Sequence, residues 1–156
     1  MEKKHTASIR ESLRVSGFVL VVGFLLNLIW ENAQAPLYFE YKGFYSHFMI
    51  CFVAAVVDAL VILLLYLLFA LFMHNLYWPL HAGVGQYFLL VFIGGVMAVW
   101  FERWAFVNRQ WSYRQAMPIV PILDIGLLPL LQLMILPLLS IWISTHLALK
   151  RQHYKV

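Results

Sequence analysis

A single cysteine, Cys51, is all the thiol chemistry the chain carries, which excludes an internal disulfide and a cysteine-based metal knuckle. Cys51 reads as a small packing residue. Charge is scarce as well: Asp, Glu, Lys and Arg make up 12% of the residues, and only seven are acids. The sequence lacks a Gly-rich phosphate loop, an HExxH, a Ser-His-Asp pattern, an internal repeat and a low-complexity tract. The missing repeat argues against a transporter built from inverted halves. Histidines fall in tails or at span ends, so a haem held between two facing histidines has no ligands. No cofactor is expected, and although carboxylates suit Mg, Ca or Mn, no spacing supports a metal site.

What remains is strongly apolar. Apolar residues make up 63% of the chain and mean hydropathy is +0.82, far above soluble domains. Apolar stretches run from Val15 to Ile29, Phe48 to Met73, Phe88 to Phe101 and Ile119 to Ser144. Taking about 20 residues to cross a bilayer, these predict an all-α integral membrane bundle of four transmembrane helices in one domain. The approximate spans are 13–35, 47–73, 86–106 and 119–147.

Topology follows from Lys and Arg near span ends. Lys3, Lys4, Arg10, Arg14, Lys150, Arg151 and Lys155 flank the termini, against Lys42, Arg103, Arg109 and Arg114 on the opposite side. Both termini are therefore expected in the cytoplasm, in a bacterial inner membrane. The formal charge of +4 is split between these short flanks rather than gathered on one face, so nucleic acid is not an expected partner. Ala33-Gln34-Ala35 imitates a signal-peptide cleavage site, but Glu31 beside it and Pro36 after it argue against cleavage.

The first helix is expected to end before Pro36. An aromatic outer loop, Leu37 to Ser46, follows it. Ala54, Ala55 and Ala59 in the second helix, and Gly94, Gly95 and Ala98 in the third, offer smooth faces for close packing. The fourth segment carries Pro118, Pro121, Pro129 and Pro137. The first two are expected in the preceding loop and the last two as kinks in the span, the alternative being that Asp124 to Pro129 is an irregular segment lining a cavity.

Four acids, Glu31, Asp58, Glu102 and Asp124, lie in or at the ends of these spans, one per helix. Carboxylates in a bilayer are costly and normally face the bundle interior, so one per helix predicts a shared interior site. At 1.5 Å rise per residue, Glu31 and Glu102 lie about 25 and 22 Å from the inner face, and Asp58 lies near the midplane. Asp124 falls at the outer mouth, with Gln132 about 12 Å deeper. Asn27, Trp30, Gln34, Trp104, Trp111 and Tyr113 share this outer half, which reads as a pocket opening to the outer leaflet or the periplasm. Simpler roles compete. Glu31 and Glu102 would pair with Arg103, Arg109 or Arg114, and Asp124 would cap a helix. Asp58 has no obvious cation at its depth, and is expected to be held by a proton, a neighbouring helix or an ion.

The string Trp30-Glu31-x-x-Gln34-x-Pro36-Leu37-Tyr38 resembles the first-helix signature of a family of small four-helix bacterial membrane proteins. Glu102, Trp111-x-Tyr113, Met117-Pro118, Gly126-Leu127-x-Pro129-Leu130-Leu131-Gln132 and Pro137 are similar to that family's second half. Val57 stands where members often have Gly before the second-helix aspartate. The resemblance implies the fold and the candidate positions, and it implies no activity.

Three function classes follow. In the first, the pocket binds and modifies a lipid-like or small organic ligand. Glu31, Asp58 and Glu102 contact or protonate the ligand, Trp30, Gln34, Trp111, Tyr113 and Asp124 surround it, and Gln132 orients it. Proton transfer, as in an isoprenoid double-bond isomerase or cyclase, is the chemistry such carboxylates suit. The second class is proton or cation coupling through Asp58. The third is an assembly role in a homo-oligomer or larger membrane complex through the small-residue faces.

Overall fold

The computed structural model describes residues 9–153, and within them the side chains of 11–150. Four helices, α1 (Ile9–Gln34), α2 (Phe44–Phe72), α3 (Val84–Val107) and α4 (Leu127–His153), form an all-α bundle. All four are long and apolar enough to cross a membrane. Lys3, Lys4 and Lys155 lie outside the described residues.

Local chemistry sets the helix ends. α1 stops at Gln34 and passes into a 3-10 turn, Ala35–Leu37, that carries Pro36 in its first positions, since proline disfavours the helical conformation in the residue before it. α2 begins after Gly43, whose φ of 126° suits only glycine. At the start of α3 the Gly83 N–H donates to the Gln86 side chain at 2.9 Å, satisfying one of the amides a helix start leaves open.

α4 begins later than the apolar run suggested. Residues Ile119–Val120 (β1) and Ile125–Gly126 (β2) pair as a minimal antiparallel hairpin, with Asp124 in a left-handed conformation (φ 54°) at its turn. Pro118 and Pro121 keep this stretch out of a helix. Pro129 consequently sits in the first turn of α4, where a missing N–H costs nothing, so it is not a mid-span kink. Pro137 alone is interior to the helix.

α4 packs against both α1 and α3, and α1 packs against α2, whereas α2 and α3 scarcely touch. The α3–α4 contact is tightest at Gly94. A Cβ there would lie 2.0 Å from the Leu133 carbonyl oxygen. That carbonyl is the one Pro137 cannot serve with an i−4 hydrogen bond. Small residue and freed carbonyl thus meet, the close approach that glycine permits between membrane helices. An apolar core including Val19, Ile62, Tyr66, Phe69, Trp78, Leu90 and Ile141 fills the half nearer the termini. The distal half is closed by its loops: Phe39 N–H donates to Ser112 O at 3.0 Å and Arg114 N–H to Leu37 O at 2.9 Å.

Candidate functional site

Asn27, Glu31 and Gln34 recur at i, i+4 and i+7, which puts them on one stripe of α1. Asp58 is the middle residue of the 29 in α2, and Gln132 faces both from α4. The Gln132 Nε2 lies 2.7 Å from Glu31 Oε1, 2.7 Å from Asp58 Oδ2 and 3.0 Å from Asn27 Oδ1. Its Oε1 accepts from Gln34 Nε2 at 2.8 Å, and Gln34 also reaches Glu31 at 3.1 Å. Glu31 and Asp58 are themselves hydrogen-bonding neighbours. One neutral amide therefore ties together three helices and two carboxyl groups.

Glu102 forms the second part of the site. Tyr113 bridges to Tyr38 in an extended pairing, and residues two apart on an extended strand point to the same side. Trp111 and Tyr113 thus both turn towards α3, where Trp111 Nε1 and the Tyr113 hydroxyl donate to the same Glu102 oxygen. The Tyr113 oxygen in turn accepts from Gly126 N–H at 2.9 Å. Burial, then the adjacent Glu102 carboxylate, push the Tyr113 phenol far above its ordinary value, and Tyr38 is raised for the same two reasons. Tyr113 accordingly remains a hydrogen-bond donor. Tyr38 packs edge-on against Trp111 at 6.4 Å and tilted against Tyr113 at 5.5 Å, fixing both donors.

Two of the three candidate arginines are engaged elsewhere. Arg103 donates to Leu123 O and Arg114 to Tyr41 O, so they hold loops rather than Glu31 or Glu102.

Glu31, Gln34, Asp58, Glu102, Trp111 and Gln132 line a single cavity of about 780 Å³. Its polar floor is these groups. Apart from Glu40, His47 and Gln110, its remaining wall is largely apolar, and includes Met49, Ile50, Val53 and Val57 of α2 with Phe101 and Trp104 of α3. Those four α2 residues are at least half exposed, so the cavity opens sideways between α2 and α3 as well as towards the distal face. The sequence left open whether the pocket meets the outer leaflet or the aqueous face, because hydropathy cannot tell which helices fail to pack.

Three expected residues stand apart. Trp30 packs against the apolar core instead of the cavity, because one helical step turns it about 100° from Glu31. Asp124 is exposed at the hairpin turn, three residues before α4 begins, and neither caps that helix nor reaches the cavity. Tyr113 acts from behind Glu102 rather than lining the cavity. Asn27 was expected in the outer polar cluster without a role of its own, and Glu40 was not expected at all. Asn27 belongs to the amide network, and its spacing with Glu31 and Gln34 was the available signal. Glu40 lines the cavity rim and accepts from Ser112 N–H and Oγ; no sequence pattern marks it.

Comparison with known proteins finds no matching family model, no matching curated protein and no matching solved structure.

Proposed function

We propose that this protein is a multi-pass inner-membrane protein, with both termini cytoplasmic, that binds a lipid-like ligand in the cavity between α2 and α3 and moves a proton on it. The carrying observation is the Gln132 amide, which joins the carboxyl groups of α1 and α2 in the wall of a cavity open to the bilayer. An apolar mouth and a polar floor suit an amphiphile whose head group reaches the acids. Carboxyl groups removed from bulk water are suited to hold and hand over protons. Double-bond isomerisation of an isoprenoid-like lipid fits this set. Glu102 or the Glu31–Asp58 pair delivers a proton to one alkene carbon, and the other carboxylate removes one from a neighbouring carbon, leaving composition unchanged. The resemblance to small four-helix bacterial membrane proteins is part of the same proposal.

Native mass spectrometry of the detergent-purified protein tests the reading. A specific adduct in the wild type, lost in folded Asp58→Asn and Glu102→Gln, supports it. No adduct in any form, with impaired assembly of the variants, replaces it with a structural role in a complex.

One observation favours proton coupling as a second reading. Ser140 and Ser144 follow Gln132 about two and three turns along α4, and both hydroxyls are buried without a partner. Buried Leu136 interrupts this row. Proton uptake by liposomes that is lost in Ser144→Ala would support coupling; absence of uptake in the wild type would exclude it.

A further inference from the structure

The cavity is rich in acceptors and poor in donors. Its wall contains four acids, Glu31, Glu40, Asp58 and Glu102, against one histidine, His47, and neither Lys nor Arg. Gln132 Nε2 has two hydrogens for three acceptors within 3.0 Å. Gln34 is 2% exposed and lines the same cavity, and both of its amide hydrogens face acceptors, while its Oε1 is buried with no partner. An unpartnered buried carbonyl costs free energy that a donor on a ligand would recover. The same wall presents the rings of Tyr38, Phe101, Trp104 and Trp111, and aromatic faces attract organic cations.

From this balance we infer that the head group bound here is a protonated organic amine on an apolar body, admitted from the bilayer between α2 and α3. The inference rests on the cavity being a ligand site. Ammonium N–H groups supply the missing donors, and their charge meets carboxylates that Arg103 and Arg114, bonded to loop carbonyls, do not serve. The aromatic rings enclose the alkyl substituents on nitrogen. Size and geometry favour an organic cation over a metal ion: the cavity holds about 780 Å³, and among the described residues no three His, Cys, Asp or Glu groups come together as a metal site. An anionic head would face four acids, with His47 the one basic side chain in the wall.

The test uses the full chain in neutral maltoside micelles at pH 7 with three probes of equal chain length: N,N-dimethyldodecylamine, dodecanol and dodecanoate. Saturable binding is read from the emission of Trp104 and Trp111 and from thermal shift. The amine is expected to bind about ten-fold more tightly than the alcohol, with dodecanoate weakest. Glu102→Gln is expected to weaken the amine more than the alcohol and so remove most of that preference. Asp58→Asn provides a second variant should the first fail to fold. Equal affinity for amine and alcohol in the folded wild type overturns the inference and leaves the cavity as a lipid site. No saturable binding of any probe overturns both.

Discussion

Replacing Gly94 with alanine is a direct test of how α3 is held. The new Cβ would lie 2.0 Å from Leu133 O and 2.9 Å from its carbonyl carbon, whereas ordinary C···O approaches are about 3.3 Å or more. Relief requires α3 and α4 to separate locally by about 1.3 Å. Both sides of the clash are backbone, so no rotamer change absorbs it, and the cost belongs at the upper end of the roughly 1–3 kcal/mol typical of overpacking. Leu90 and Ala98, buried on the same stripe, would lose packing with it. Gly95→Ala is the matched control. Its nearest neighbours are the flexible Met134 side-chain atoms at 3.5 Å, and alanine favours a helix over glycine by about 1 kcal/mol. Unfolding by SDS titration in mixed micelles, followed by circular dichroism, should place Gly94→Ala well below wild type and Gly95→Ala at or above it. Equal midpoints for the two variants would refute the close-packing argument. The displacement should also reach Glu102, two turns along the same face of α3, and shift the emission of Trp111.

Tyr113→Phe removes a donor from Glu102 and orphans Gly126 N–H, so a loss of about 1–3 kcal/mol is expected in the same titration; an unchanged midpoint would count against the bridge. Gln132→Leu breaks the tie among α1, α2 and α4 and should cost a similar amount, while Gln→Leu at exposed Gln115 should cost nothing measurable. The Tyr38 and Tyr113 phenols are raised by burial, so their contribution is intact below the unfolded value of about 10. It is lost as pH rises above that, at about 1.4 kcal/mol per pH unit for each phenol. Unfolding measured from pH 9 to 11 should therefore show a shallower alkaline decline in Tyr113→Phe, and identical slopes would contradict it.

Much of the site was legible because the membrane makes polar residues expensive. Glu31, Asp58, Glu102 and Gln132 stand out in apolar runs, and helical spacing places Asn27, Glu31 and Gln34 on one stripe. The two-residue spacing of Trp111 and Tyr113 was visible too, but not that both serve Glu102, which depends on pairing with Tyr38 across a separation that local pattern cannot register. Asp124 misled because an acid near an apolar run reads the same in a hairpin turn as at a helix start. Gly94 and Gly95 are indistinguishable in sequence, yet only one meets a backbone carbonyl.

Sequence alone determined the four spans and their polar positions, since hydropathy and helical period are local properties of the chain. Tertiary structure decided that α2 and α3 stay apart, that Gln132 gathers two carboxyl groups, and that Arg103 and Arg114 bind loop carbonyls instead. Those outcomes depend on which helix faces meet, and in a bilayer every apolar face is soluble in lipid, so apolarity by itself does not choose between neighbours.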